Sequence, residues 1–353
     1  MSKCISPLRP VTCRCVLIAT VVILGTFAAH SHAAEPTAEI APVEGWSTFF
    51  GGDQVKLHYR LQTPDTMKGR LAWSHSAQRR PIARGERAVT VDETKPTEVE
   101  IPLQLPEVRD GVVFDTDLTV QLLDSRGEVV AEHQRVVRLF PRDPFSDRHE
   151  WLEELKIVLY DPPGQTADVF DDAEVPYKTA RSLSNLEETS EGIVVIGEGV
   201  SLADHANLPE VMTKVAASGV PVFCLAPADG RLAFPGSEAE QPTAASVSLR
   251  RGDVITELDK RLDAEAWPPD GELTVTGLEM TSFRGRVLLS VAESPQLWPW
   301  FEVTYPDGGR MIVCGFGIIR CWQAGPTPRY LLASVLEQLS ESRSRLPDGT
   351  LEQ

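Results

Sequence analysis

GIVVIGEG (residues 192–199) and VPVFCLAP (220–227) are two continuous apolar runs, with LPEVMTKVAASG (208–219) between them. Runs without polar alternation are expected of strands covered on both faces, as in a parallel sheet. In the intervening segment Leu208, Val211, Met212, Val215 and Ala216 recur at helical spacing, Pro209 suits the first turn, and Gly219 supplies the stop. Strand, crossover helix and parallel strand make a βαβ unit. LKIVLYD (155–161) is a third run of the same kind. The predicted fold for the second half is therefore a three-layer α/β domain with a mostly parallel sheet.

The segments around this unit complete the outline. GRVLLSVAE and PWFEVTYPDGGRMIVCGFG read as further strands, and the Pro306–Gly309 turn predicts a hairpin, so part of the sheet is expected to be antiparallel. In GPTPRYLLASVLEQLSE, Thr327 is the expected helix cap, Pro328 the first helical residue, and Leu331, Leu332, Val335, Leu336 and Leu339 the buried face.

Upstream the period changes from continuous to alternating. QVKLHYRLQ (54–62) sets Val55, Leu57, Tyr59 and Leu61 on one face, and TEVEIPLQL (97–105) does the same with Val99, Ile101, Leu103 and Leu105. Residues 118–140 read as two long strands joined at Asp124–Gly127. Six or seven strands without a helical segment predict an antiparallel β-sandwich of immunoglobulin-like type over 45–140, without the Cys-Trp-Cys core of antibody domains. The expected boundaries are a linker at 34–44, a second at 141–153 where two prolines interrupt the pattern, the α/β domain at 154–340 and a tail at 341–353.

Lys3, Arg9 and Arg14, then CVLIATVVILGTFAA, then Ser31-His32-Ala33 match a cleaved secretory signal over 1–33. An exported protein, periplasmic or extracellular, without stable membrane insertion after cleavage is the expectation. Loss of that segment would take the formal charge from −17 to −20, since three basic and no acidic residues leave. Such a surface repels phosphate backbones, and with no compensating Lys/Arg cluster evident, nucleic acid is not an expected partner. Three cysteines then remain, Cys224, Cys314 and Cys321, an odd number that allows one bridge at most, Cys314–Cys321 or Cys224–Cys321. No zinc or EF-hand spacing is present, so neither metal nor cofactor is expected.

The order helix, Gly219-x-Pro221, apolar strand and turn, followed by GFGIIRCWQAGPTPRYLLASVLEQL, resembles class I glutamine amidotransferase-like domains over roughly residues 154–340. These are flavodoxin-like folds found also in trehalose-utilisation-like proteins and in the middle domain of some β-galactosidases. The resemblance implies a Gly-x-Cys-x-Gly elbow with its nucleophile about five residues past the proline, where this chain has Ala226. Cys224 falls two residues early, between Phe223 and Leu225. The resemblance also implies a histidine base near Arg320-Cys321-Trp322, and none is there. The expectation is a non-catalytic relative that binds carbohydrate, cell-envelope material or a protein partner. The alternative is a hydrolase, either a cysteine enzyme using Cys224 with a displaced His205 or a sugar-processing enzyme with unpaired carboxylates.

Four residues are the ligand-contact candidates. Glu198 and Ser201 lie in IGEGVSLADH, just past an apolar strand, where open α/β sheets place ligands. That segment has only two glycines, and the acidic partner of dinucleotide sites is missing. Arg320 and Trp322 stand beside the same expected edge. Trp298, Trp300 and Trp322 are further candidates to stack on sugar rings, or else to fill the core.

Overall fold

The computed structural model describes residues 38–233, 241–267, 273–281 and 298–344. The expected signal segment and GRVLLSVAE lie outside these residues.

Two sheets form the first part. β1 (Glu39–Pro42), β3 (Gln54–Gln62) and β6 (Thr97–Gln104) make an antiparallel sheet in the order β1-β3-β6. β2 (Thr48–Phe50), β4 (Met67–Ala77), β5 (Arg80–Val91), β7 (Phe114–Leu123) and β8 (Val129–Phe140) make a second in the order β2-β8-β7-β4-β5. Leu57 pairs with Ile101 and Tyr59 with Val99, so the alternating apolar residues share one face. That face meets Leu71, Leu118, Val120, Leu122, Val137 and Leu139 of the other sheet in one core. The β7–β8 hairpin turns where Asp124 accepts from the Arg126 and Glu128 amides, with Gly127 at φ +87.

Three expectations change here. β1 pairs with β3 inside the stretch read as a linker, because Ile40 completes the core, one short buried position that no periodicity reveals. A basic cluster does exist on the β4–β5 hairpin: Arg79 in the turn, and Arg80, Arg84 and Arg87 along β5. Residues 141–153 are not a loose linker. Phe145 is fully buried in the core of the following part, and α1 (His149–Leu155) starts within the stretch.

The junction is polar and tightly tied. Arg329 donates to the Trp322 and Arg142 carbonyls and to Gln323, while its guanidinium lies over the Phe50 and Trp322 rings. Asp263 accepts from the Ser47 and Thr48 amides and the Thr48 hydroxyl. Burial raises the Asp263 pKa, and these donors oppose the shift. Thr327, the expected cap, is buried at this junction 3.3 Å from the Thr48 hydroxyl, and the closing helix starts one residue earlier than it.

A seven-stranded mixed sheet organises the second part, in the order β10-β9-β11-β12-β17-β16-β14. Its strands are β9 (Ile157–Tyr160), β10 (Tyr177–Thr179), β11 (Val194–Ile196), β12 (Val222–Cys224), β14 (Ser246–Arg250), β16 (Trp300–Thr304) and β17 (Arg310–Cys314). The first five in that order are parallel; β16 and β14 are antiparallel additions. The Pro306–Gly309 turn forms the β16–β17 hairpin, with Gly308 at φ +81. β13 (Arg231–Ala233) and β15 (Glu279–Thr281) form a separate parallel pair.

Helices cover both faces. α1, α2 (Gln165–Asp172), α5 (Asp253–Leu258) and α6 (Pro326–Ser344) contribute to one core; α3 (Leu183–Glu187) and α4 (Leu208–Ala217) contribute to the other. α4 has the expected face, Leu208, Val211, Met212, Val215 and Ala216, and Gly219 at φ +96 ends the segment. α6 buries Leu331, Leu332, Val335, Leu336 and Leu339 and reaches past residue 340 into the expected tail. No described helix is long and apolar enough to cross a bilayer.

Candidate functional site: the carboxyl ends of β9 and β11

From β9 the chain crosses to β10 on one side, then returns past β9 to β11 on the other. The ends of β9 and β11 therefore flank a point where strand order reverses, the position at which open α/β sheets form a crevice. Asp161 follows β9 and Gly197-Glu198-Gly199 follows β11.

Asp161 holds the start of α2. The N-cap, Gly164, lacks a side chain, and one Asp161 carboxylate oxygen accepts from the Ala167 amide at 2.8 Å instead. Its other oxygen, Oδ1, is buried without a hydrogen-bond partner among the described residues. A Cβ on Gly197 would come within 2.3 Å of Oδ1, so only glycine lets the two strand ends approach.

Glu198 is 4% exposed. Its amide donates to the buried Thr166 hydroxyl at 2.8 Å, and its carboxylate accepts from the Ile319 amide at 2.7 Å and the Arg320 amide at 3.3 Å. Arg320 Nε stands 3.6 Å from Oε1, with the Arg320 side chain 42% exposed. Desolvation raises the Glu198 pKa, while the two amides and Arg320 pull it back. Arg320 is placed by Gly317, where a Cβ would meet Nε at 2.1 Å.

Ser201 is engaged locally. Its hydroxyl donates to Asp229 at 2.6 Å, and Asp229 also accepts from the Leu202 and Ala203 amides, which folds the turn before α4. His205, half-buried, lies with Nδ1 3.3 Å from the Tyr160 hydroxyl, the rings edge to face. Trp322 is 4% exposed and Trp300 fully buried, both in the core; Trp298 is half-buried.

Cys224 ends β12 and is fully buried. Its thiol donates to the Leu225 carbonyl at 3.4 Å, and burial pushes its pKa up to about 12. His205 is not brought to it as a hydrogen-bond partner. Ala226 is buried, and β12 runs on into irregular chain and β13, so the strand-to-helix turn of a nucleophile elbow does not form. Cys224, Cys314 and Cys321 are all free. Cys224 and Cys314 belong to the cores on opposite faces of the sheet, which keeps their side chains apart although their strands are neighbours.

Glu198 and Arg320 are thus brought together as a pair, whereas Ser201, His205, Trp322 and Cys224 each have other partners. Asp161 and Thr166 were not singled out by sequence reasoning. An aspartate directly after an apolar strand and before Pro162-Pro163-Gly164 was the available signal. Among the described residues no group of three His, Cys, Asp or Glu could hold a metal ion. An open groove of about 620 Å³ lies elsewhere, over β10 and the end of α3, lined by Tyr177, Lys178, Arg181, Asn185 and Glu188.

No family model and no curated protein sequence matches the chain. Solved structures similar in part include a cycloisomaltooligosaccharide glucanotransferase from Paenibacillus sp. complexed with cycloisomaltoheptaose, at 10% identity and TM-score 0.26 over 54% of this chain and 28% of that one. An alkylpurine DNA glycosylase from Pseudomonas fluorescens is 11% identical at TM-score 0.23, over 30% of this chain and 31% of that one. A glycosyl hydrolase family 2 member from Bacteroides cellulosilyticus is 12% identical at TM-score 0.23, over 54% and 36%. The chain spans about a third of the length of these proteins. Scores this low leave function to the chain's own residues.

Proposed function

We propose that the chain is an exported, non-catalytic binding or interaction protein of two domains: an immunoglobulin-like sandwich joined to a flavodoxin-like domain with the outline of a class I glutamine amidotransferase. The parallel order β10-β9-β11-β12-β17 is the 2-1-3-4-5 order of that fold, which supports the second assignment. One observation carries the non-catalytic reading: the Cys224 thiol is sealed in β12 with its pKa raised to about 12, and among the described residues its hydrogen-bond partner is the Leu225 carbonyl and not an imidazole. A thiolate nucleophile needs exposure and a group that lowers its pKa. The polar crevice of Asp161, Glu198 and Arg320 is the proposed ligand site. A half-exposed guanidinium beside the Glu198 carboxylate suits a polyhydroxylated ligand, with carbohydrate or cell-envelope material as the natural class.

A second reading is favoured by the same carboxylates: a sugar-processing hydrolase in which Glu198, its pKa raised, acts as the acid and Asp161 as the base. The two amides that already occupy the Glu198 carboxylate favour binding over proton transfer. Purified protein assayed on amide, ester and glycoside substrates, and titrated with neutral oligosaccharides, separates the two. The proposal expects no turnover, with oligosaccharide binding weakened in Arg320→Ala. Turnover abolished by Glu198→Gln or by Cys224→Ala would overturn it.

A further inference from the structure

β5 is the outer strand of its sheet, paired among the described residues only with β4, twelve residues long and mostly exposed. Alternate residues on such an edge present unpaired amide and carbonyl groups to solvent. Between Met67 and Val91 the chain carries six basic residues, Lys68, Arg70, Arg79, Arg80, Arg84 and Arg87, against one acidic residue, Glu86, in a protein of formal charge −17. Among the described residues, Arg60, Arg250 and Arg261 pair with Glu98, Asp253 and Asp259, and Arg70 takes Glu86. Among the described residues, the guanidinium groups of Arg79, Arg80, Arg84 and Arg87 have no carboxylate partner and no hydrogen bond. Gly85 interrupts them: a Cβ there would come within 2.2 Å of the Trp73 ring, so this half-buried indole spreads beneath the edge.

We infer that the β5 edge is a docking site for an extended acidic segment of another protein, which adds to the sheet as a further strand. The backbone edge supplies register, the four arginines supply charge complementarity, and the indole beside Gly85 supplies an apolar seat. This surface is independent of the crevice at β9 and β11. Arginine on an edge also discourages pairing between copies, and that role alone predicts no binding of any strand.

The probe is a dye-labelled peptide of about ten residues alternating glutamate and valine, read by fluorescence anisotropy against the full chain. Binding is expected, weakened about tenfold by raising salt from 50 to 300 mM and about tenfold in Arg84→Glu/Arg87→Glu. Arg80→Gln/Arg84→Gln, a milder pair, should show a smaller loss, and the melting temperature of both variants should match the parent. Amide exchange at residues 82–91 should slow on binding, and a copy of the peptide N-methylated at alternate amides should fail to bind. No binding, or equal binding of the N-methylated copy, overturns strand addition. Binding of heparin or anionic vesicles in place of the peptide overturns it as well, and assigns the arginines to a polyanion.

Discussion

The ends of β11 and β12 are hydrogen-bonded neighbours, with Ile196 opposite Cys224, yet they have opposite chemical character. Past β11 the chain offers Gly197, Glu198 and Gly199, two residues without side chains around a carboxylate that reaches Arg320. Past β12 it offers Leu225, Ala226 and Pro227, all buried. The family resemblance would put the reactive group at the second of these ends. This chain closes that end with apolar packing and places its polar groups at the end of the neighbouring strand. The difference shows how two neighbouring strand ends of one sheet can differ, one polar and the other part of the core.

Substitutions at the two ends should separate them. Glu198→Ala leaves the Ile319 and Arg320 amides and the Arg320 guanidinium without their acceptor, so a loss of about 3 kcal/mol is expected in urea unfolding. An effect below about 1 kcal/mol would mean that the carboxylate is not what ties β11 to residues 319–320. Gly197→Ala drives a methyl against Asp161 and should cost about 2 kcal/mol. Adding Gly197→Ala to Asp161→Gly, which by itself loses the bond to the Ala167 amide, should cost less than Gly197→Ala costs in the parent, and an equal cost would break the assignment of the contact.

Cys224→Ala removes one packed atom and should cost about 1 kcal/mol while leaving the fold intact. The smallest effect concerns pH. The folded pKa of Glu198 lies above its unfolded value, so its contribution is fully present below the unfolded pKa of about 4.3 and is lost as pH rises through the folded value. Glu198→Gln does not titrate, so its stability relative to the parent should improve from pH 4 to pH 7. A flat difference would mean that the carboxylate is not desolvated.

What the sequence disclosed followed from periodicity. Val194–Ile196 and Val222–Cys224 are apolar on both faces and read as buried parallel strands, and the α4 spacing read as a helix for the same reason. Leu57 and Tyr59 betrayed a half-covered sheet by alternating with Lys56, His58 and Arg60. β1 is too short to show a period, and its place depends on Ile40 meeting a core built from distant strands. At the site, Glu198 and Arg320 were both legible as candidates by position, but the contact between them spans 122 residues and belongs to tertiary packing. Asp161 escaped notice because its neighbours, Gly197 and Ala167, come from other elements. Thr327 looked like a cap because its local sequence fits one; the junction with Thr48 and Asp263 holds it instead.

Native-state alkylation with peptide mapping tests the central claim most directly. In folded protein at pH 8, iodoacetamide should modify the half-exposed Cys321 readily, while Cys224 and Cys314 react only as fast as the chain unfolds. Modification of Cys224 in the folded state at the rate of an exposed thiol, or faster, would contradict the account and return that residue to the role of a nucleophile.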